Sequence, residues 1–215
     1  MSAGPASTHR IGAETVLFAE GDPATHLFAV IKGVLRLCRL LADGRRSITG
    51  FAYPGDVIGI AVSNSYAYSA ETVTECELRR MPRSAVTHLL ESSPELARHM
   101  YALVSNELLA AQDQMLLLGR KTAPERVASF LLRLAERGRP GGGEARRVSL
   151  PMSRADIADY LGLTPETVCR VLTRMRQCGV IKLTNAQTVD LLDVEALRRL
   201  AEDAETVVRR ALIHM

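Results

Sequence analysis

The pattern of apolar and polar residues changes its period at Ser93. Before this point, residues 14–82 contain short runs of β-forming residues separated by turn residues, among them Asp43-Gly44 and Pro54-Gly55-Asp56. Many short strands at regular spacing are typical of a small barrel or sandwich. The pattern therefore predicts a small β-barrel or β-sandwich built from residues 14–82.

After Ser93 the apolar residues recur in steps of four and three. Ser93 can cap a helix that has Pro94 at its first position, and the recurrence predicts a long helix over residues 93–120. The steps continue for about three heptads, as they do in helices that pack against a second helix. We therefore predict a dimerisation helix, although a helix buried within one subunit would show the same steps. The predicted seam consists of Ala97, Tyr101, Val104, Leu108, Ala111, Met115 and Leu118.

The C-terminal part, residues 121–215, contains the signals of a helix-turn-helix. Ser153 can cap a first helix and Thr164 a second one. Between them, Gly162 can adopt the positive φ that a sharp turn needs. The alternating residues 180–191, with a turn near Asn185, predict a following β-hairpin of the kind called a wing.

The second of these helices has one apolar and one polar face. Its apolar face predicts a packed core, whereas Glu166 and Arg170 project together from the first two turns of the other face. Arginine can donate two hydrogen bonds to a guanine, and glutamate can accept one from a cytosine amino group. The polar face therefore predicts DNA recognition; an ordinary solvated ion pair is the alternative. The predicted core residues are Val168, Val171, Leu172 and Met175, and the outer residues are Glu166, Cys169, Arg170 and Thr173.

Composition and charge narrow the function class only slightly. The net charge is +3, and 47% of the residues are hydrophobic, which is enough for a packed core. No apolar run can span a bilayer, and Met1–Arg10 lacks a signal-peptide core, so we expect a cytoplasmic protein without a membrane partner.

No Ser/His/Asp set, metal cluster or phosphate loop has a useful spacing, so we do not expect an enzyme. Four cysteines without a CxxC pair are expected to be free thiols: Cys38, Cys76, Cys169 and Cys178.

Three segments resemble the CRP/FNR superfamily of transcription regulators. Phe18-Ala-Glu-Gly-Asp22 and its surroundings look like a cyclic-nucleotide-binding-type barrel, and residues 120–130 are similar to the segment after the dimer helix. Residues 152–170 closely resemble the FNR and FixK branch. The resemblance implies an α+β fold with an N-terminal jelly-roll barrel (1–92), a dimerisation helix (93–120) and a C-terminal winged helix-turn-helix domain (121–215).

The same resemblance implies how DNA would be recognised. In this branch a Glu-x-x-Ser-Arg motif reads a palindrome of the TTGA-N-TCAA type; Glu166 and Arg170 match it, and Cys169 stands where serine is usual. Family members also contact phosphates from the starts of both helices. The expected partners are double-stranded DNA, a second copy of the chain and RNA polymerase, with activation as the expected outcome. The implied DNA contacts are Ser153, Arg154, Thr164, Pro165, Glu166, Thr167, Cys169, Arg170 and Thr173.

The sequence lacks most of the residues that bind cofactors in this family. Cyclic-AMP-responsive members carry a glutamate and an Arg-Ser pair, where this chain has Ile60 and Tyr68-Ser69. An iron–sulfur cluster needs several cysteines, most of them near the N-terminus, and the first here is Cys38. Nothing marks any of the five histidines as a haem ligand. We therefore expect no cofactor, with a haem- or small-molecule-gated regulator as the alternative, and we note Cys169 as a possible redox site at the DNA interface.

Overall fold

A computed structural model of the chain describes residues 7–60, 64–138 and 146–202. The chain divides into two compact units, Met1–Leu109 and Ala110–Met215. The three-part division at residues 92 and 120 stays a prediction, and its portions at 1–6, 61–63, 139–145 and 203–215 lie outside the described residues. Within the described ranges, no helix combines the length and apolar character needed to cross a bilayer.

The first unit contains the predicted jelly roll, built from two four-stranded antiparallel sheets. One sheet has the strand order β1-β8-β3-β6 and the other β2-β7-β4-β5. The predicted turns are confirmed: Gly44 and Gly55 both have positive φ, at +81° and +97°. The strands are β1 (Ser7–Ile11), β2 (Val16–Phe18), β3 (His26–Lys32), β4 (Leu35–Leu40), β5 (Arg46–Ala52), β6 (Val57–Ile58), β7 (Ser69–Thr72) and β8 (Cys76–Pro82).

Both sheets contribute side chains to one core. Leu78 and Phe28 come from the first sheet, and Leu35 and Ala70 from the second. Burial of these apolar side chains is what holds two half-solvated sheets together. The connection between β3 and β4 requires glycine at residue 33. Gly33 has φ +91°, and an added Cβ would lie 2.5 Å from the Cys76 sulfur.

Two helices follow the strands of this unit. Arg83–Ser92 forms α1, which the period change at Ser93 did not predict, so the helical part of the chain begins ten residues earlier. The long predicted helix is present as α2, Pro94–Arg120. Its cap is confirmed, since the Ser93 hydroxyl accepts a hydrogen bond from the Leu96 amide at 3.3 Å.

The second unit contains the helix-turn-helix and its supports. Apolar residues of α3, among them Val127 and Leu131, are fully buried. Two elements were not predicted: β9, which extends the hairpin to a three-stranded sheet in the order β10-β11-β9, and the last helix, α6. The elements of this unit after α2 are α3 (Ala123–Arg137), β9 (Arg147–Ser149), α4 (Arg154–Leu161), α5 (Pro165–Gln177), β10 (Ile181–Asn185), β11 (Thr188–Leu191) and α6 (Val194–Ala201).

Candidate nucleic-acid interface

The two helices α4 and α5 begin at the residues that the sequence predicted. The Ser153 hydroxyl accepts from the Asp156 amide at 3.0 Å, and the Asp156 carboxylate accepts from the Ser153 amide at 3.1 Å. The Thr164 hydroxyl accepts from the Thr167 amide at 3.2 Å, with Pro165 at the first position of α5. These caps satisfy amides that a helix start would otherwise leave unpaired.

The turn between the helices depends on Gly162. Its φ of +60° lies in the left-handed region, as predicted. An added Cβ would lie 3.2 Å from Arg126 and 3.2 Å from Leu118, so the turn also has little room for a side chain. The Leu163 amide completes the turn by donating to the Ala158 carbonyl at 2.8 Å.

The faces of α5 are arranged as predicted. Val168, Val171, Leu172 and Met175 are buried. The other face presents Glu166, Cys169 and Arg170 to solvent, with Thr173 half-buried beside them. Helix α5 is therefore held by its apolar face and leaves its polar face open to a partner.

The exposed face of α5 carries both negatively and positively charged side chains. The pKa of Glu166 is lowered, chiefly by its own backbone amide and then by the Thr164 hydroxyl, so the side chain is an anionic hydrogen-bond acceptor. Arg170 extends along the same face, where one terminal nitrogen lies 3.4 Å from the Thr167 hydroxyl. Arg174 and Arg176 are exposed further along the helix. The first two turns of α5 thus present a hydrogen-bond donor, the Arg170 guanidinium, and an acceptor, the Glu166 carboxylate, on the same face.

The predicted wing is the hairpin of β10 and β11, and β9 completes its sheet. Arg147 of β9 forms a two-pronged ion pair with Asp190 of β11. The hydrogen bond from Arg147, helped by that from Thr184, lowers the pKa of Asp190 to about 2. This ion pair links β9 to β11 of the hairpin.

Arg154 takes a position that its sequence context did not predict. One terminal nitrogen donates to the Ala186 carbonyl in the wing turn at 2.8 Å. The other, Nη1, is buried without a hydrogen-bond partner among the residues that the structure describes. The guanidinium therefore joins the start of α4 to the wing, and the phosphate contact expected of it stays a prediction.

The predicted dimer seam is exposed within a single chain. Tyr101, Leu108 and Met115 are 76%, 60% and 71% exposed. Val104, Ala111 and Leu118 are exposed as well, and Ala97 is half-buried. Leu117, which the sequence did not single out, is the buried residue of this helix at 2% exposure.

Among the described residues, Tyr68 and Ser69, which match the family's Arg-Ser pair, both form hydrogen bonds within the barrel. The Tyr68 hydroxyl accepts from the Gly59 amide at 3.0 Å, and the Ser69 hydroxyl accepts from the Glu20 amide at 2.8 Å. Burial raises the pKa of the Tyr68 phenol, so it stays neutral. The hydroxyls of Tyr68 and Ser69 are thus engaged within the protein, and neither residue supplies a guanidinium.

Elsewhere in the barrel, two aromatic rings stack and one arginine is paired with two glutamates. The rings of Phe18 and Tyr66 stack with centroids 3.9 Å apart. Arg36 donates to Glu14 and to Glu71.

The four cysteines are divided between the barrel and the region of α5. Cys38 and Cys76 are buried in the barrel, and Cys169 and Cys178 are exposed on or next to α5; all four are free thiols. Burial raises the pKa of Cys76. Across the described ranges, no three His, Cys, Asp or Glu side chains are placed to share a metal ion.

Sequence reasoning missed the residues that fasten the helix-turn-helix to its neighbours. Arg126 of α3 and Gln114 of α2 donate hydrogen bonds to backbone carbonyls at the end of α4. Both are polar residues on helices, and the sequence contains no local signal that separates such residues from solvated ones. Their partners lie more than thirty residues away in the chain.

Comparison with known proteins agrees with this architecture. Residues 8–93 match the family described as a cyclic nucleotide-binding domain, and residues 125–200 match the Crp-like helix-turn-helix domain. The solved structure of FixK2 from Bradyrhizobium japonicum superposes with a TM-score of 0.86 at 38% identity, covering 93% of this chain and 99% of that one.

Two similar sequences are named regulators. The nitrogen fixation regulation protein FixK of Azorhizobium caulinodans is 48% identical over 185 residues, which are 86% of this chain and 75% of the relative. The transcriptional activator protein anr of Pseudomonas aeruginosa is 39% identical over 190 residues, which are 86% of this chain and 76% of that relative.

Proposed function

The chain belongs to the CRP/FNR family of DNA-binding transcription regulators, in its FNR/FixK-like branch, and on this premise we propose that it is a homodimeric activator that recognises a palindromic TTGA-N-TCAA-type site. Its relatives are named as regulators, and the chain is not an enzyme. Beyond family membership, we propose that the chain forms a dimer, reads this DNA sequence, activates transcription and needs no cofactor.

One observation carries the proposal: α5 presents Glu166 and Arg170 together on an exposed face while its opposite face is buried. The N-terminal turns of a recognition helix are the part that enters the major groove. There the Arg170 fork can donate to the O6 and N7 atoms of a guanine, and the Glu166 carboxylate can accept from a cytosine amino group. A G·C pair within each TTGA half-site offers both groups.

The starts of the two helices supply the remaining contacts in this proposal. Ser153 and Thr164 stand at helix N-termini, where free amides and the helix dipole favour a phosphate. Thr167 lies one turn into α5, next to Arg170. Such contacts fix the register of the protein on DNA and leave sequence discrimination to Glu166 and Arg170.

The homodimer is supported by the apolar seam of α2. A run of large apolar side chains at heptad spacing is exposed in one chain, and contiguous exposed apolar surface of this kind marks a contact between proteins. A second copy of the same helix fits, because a palindromic DNA site requires two-fold symmetry. Each recognition helix would then meet one half-site.

Activation without a bound cofactor is supported by the barrel. Tyr68 and Ser69, which stand where cyclic-AMP-responsive relatives carry an Arg-Ser pair, offer no cation to a phosphate. In this proposal the barrel is a scaffold and a surface for RNA polymerase, and the amount of protein sets the response. The relative anr is named as an activator, which favours activation over repression here.

A ligand-gated regulator of the same fold is the second candidate. A cavity of about 630 Å³ opens in the barrel and is lined by His9, His26 and Arg80 among others. The volume falls within the range of small-molecule sites, roughly 300–1,000 Å³. Haem or another small molecule bound there would make DNA binding depend on the ligand.

Binding of the purified protein to synthetic DNA tests the proposal. We expect tight binding to a TTGA-N-TCAA palindrome, at least tenfold weaker binding when both half-sites are scrambled (about 1.4 kcal/mol or more), and no change when cyclic AMP, cyclic GMP or haem is added. Equal affinity for scrambled DNA contradicts the proposed site. Binding that requires an added ligand favours the second candidate.

A further inference from the structure

The helix-turn-helix is attached to the end of α2 through backbone carbonyls. The last carbonyls of a helix have no partner within that helix and need donors from elsewhere. In this chain the ends of α2 and α4 lie close together in the second unit, and their terminal carbonyls share one donor group. That group is the guanidinium of Arg126, in the first turns of α3.

Arg126 donates four hydrogen bonds to these two helix ends. At the end of α2, it binds the carbonyls of Leu118 at 2.9 Å and Lys121 at 2.8 Å. At the end of α4, it binds the carbonyls of Leu161 at 2.8 Å and Gly162 at 3.2 Å. Helix C-termini carry partial negative charge, so a cation between two of them is favourable for both.

A second link runs parallel to the first. The Gln114 side chain, on α2, donates to the Tyr160 carbonyl at the end of α4 at 2.7 Å. Arg133 of α3 donates to the Tyr160 hydroxyl at 2.7 Å and lies 3.5 Å from the Gln114 side-chain oxygen. Three consecutive carbonyls, those of residues 160, 161 and 162, are therefore bound by side chains of α2 and α3.

The carbonyls so bound immediately precede the recognition helix. Gly162 is two residues before Thr164, the cap of α5, and its positive φ sets the angle at which α5 leaves the turn. An added Cβ at Gly162 would meet Arg126 and Leu118 at 3.2 Å, so there is little slack between the turn and the end of α2. A rotation of the helix-turn-helix as a unit against the end of α2 would break several of these hydrogen bonds at once.

We infer that Arg126, assisted by Gln114, is a positioning residue that fixes the orientation of α5 relative to the dimerisation helix and thereby sets the half-site spacing that the protein accepts. The inference rests on the proposed homodimer. In a dimer held together by α2, the distance and angle between the two recognition helices depend on how each α5 is fixed to its own α2. Arg126 contacts no base in this account; it acts through the turn.

Lysine cannot replace Arg126 in this role. A guanidinium is planar and carries five N–H donors in a fixed fork, whereas an ammonium is a point charge with three donors. Arg126→Lys keeps the charge between the helix ends and loses the geometry that holds four carbonyls. Arg126→Met removes both.

The test varies the distance between half-sites. Wild type, Arg126→Lys, Arg126→Met and Gln114→Met are titrated against palindromes whose spacer is changed by one and two base pairs, and against a single half-site. Each base pair moves a half-site by roughly 3.4 Å and turns it by roughly 35° about the DNA axis. We expect wild type to lose at least about tenfold in affinity for one added base pair. In Arg126→Met we expect that ratio to fall below about threefold, with smaller changes of the same sign in the other two variants.

A loss of packing alone gives a different result. It would weaken binding to every spacer and to the single half-site by the same factor, leaving the wild-type ratio between spacers in place, and this result would overturn the inference. Thermal unfolding checks that each variant is folded; if Arg126→Met is not, the ratios of Arg126→Lys and Gln114→Met decide. Arg199→Lys, exposed on α6 of the same unit, is the matched control and should keep the wild-type ratio.

The outcome also separates this inference from the proposed function. A wild-type protein that ignores half-site spacing altogether would contradict the palindrome-reading dimer, and the inference with it. A wild type that prefers one spacing, together with variants that keep this preference, would leave the dimer intact and remove the role of Arg126.

Discussion

The two units of this chain use their polar side chains differently. In the barrel, several polar groups are bound within the protein: Tyr68 and Ser69 accept from backbone amides, and Arg36 is paired with two glutamates. In the second unit, Glu166 and Arg170 stand exposed on a helix whose other face is buried. The first arrangement stabilises a fold, and the second is open to a partner.

In the proposed function, the second unit keeps the family's DNA-binding output while the barrel works without a ligand. In the barrel, Phe18 and Tyr66 stack in the core with ring centroids 3.9 Å apart, and both also line the cavity of about 630 Å³. A recognition helix, in contrast, must keep its donors and acceptors free for DNA. Changes in the two units should therefore separate into effects on stability and effects on DNA binding, and the following predictions test that separation.

The largest effect is expected from Arg170→Ala. Loss of a bidentate guanine contact costs about 1–3 kcal/mol per half-site, and a symmetric dimer loses it twice, so affinity should fall by roughly a thousandfold. Titration against the preferred palindrome at constant salt measures it, with Arg176→Ala in the last turn of α5 as the control. Unchanged affinity in Arg170→Ala would show that α5 does not recognise the bases as proposed.

The next effect concerns the seam of α2. Changing Leu108 and Met115 to glutamate would place like charges against their symmetry mates, and we expect monomers. Because two half-sites would no longer bind as one unit, affinity for the palindrome should fall by about a hundredfold or more. Sedimentation measures the assembly, and Asn106→Glu, at an exposed position of the same helix outside the seam, controls for added negative charge. An intact dimer in the double variant would remove this seam from the interface.

Oxidation of Cys169 is expected to weaken binding by about tenfold. A sulfinate or sulfonate on the exposed face of α5 would add negative charge next to the DNA backbone. Peroxide treatment followed by titration should affect wild type and spare Cys169→Ser, which restores the residue usual in the motif. Cys178→Ser, the other exposed thiol, should remain sensitive. Equal losses in all three proteins would exclude Cys169 as the site.

The smallest effect on DNA binding is expected from the barrel. Tyr68→Phe removes the acceptor of the Gly59 amide and should cost about 1 kcal/mol of folding free energy, lowering the Tm by roughly 2–4 °C. Affinity for the palindrome should stay the same. A loss of affinity without a loss of stability would mean that the barrel controls α5, contrary to the separation of the two units.

Features that depend on neighbouring residues were predictable from the sequence. Caps, turns and helix faces involve residues at most four positions apart, and Ser153, Gly162 and Thr164 were placed correctly for this reason. Helix α1 was missed because its cap position is Pro82, which forms no side-chain cap bond. Helix α6 does have a cap signal, since Asp193 accepts from the Ala196 amide, and sequence reasoning overlooked it.

Features that depend on distant residues were not predictable. The pairing of β9 with β11 joins segments about forty residues apart, and Arg154 meets a wing residue 32 positions further along the chain. The same holds for the four bonds of Arg126, whose partners lie on both sides of it in the chain. An exposed arginine and an arginine that binds backbone carbonyls look alike in a sequence, and only the fold separates them.

Selection of bound sites from random DNA by the purified protein, without any added ligand, tests the central claim most directly. The account predicts that a two-fold symmetric site with TTGA-type half-sites at one fixed spacing is enriched, and that the same site is recovered when cyclic nucleotides are present. Enrichment of an asymmetric site, or no enrichment until a ligand is added, would contradict it.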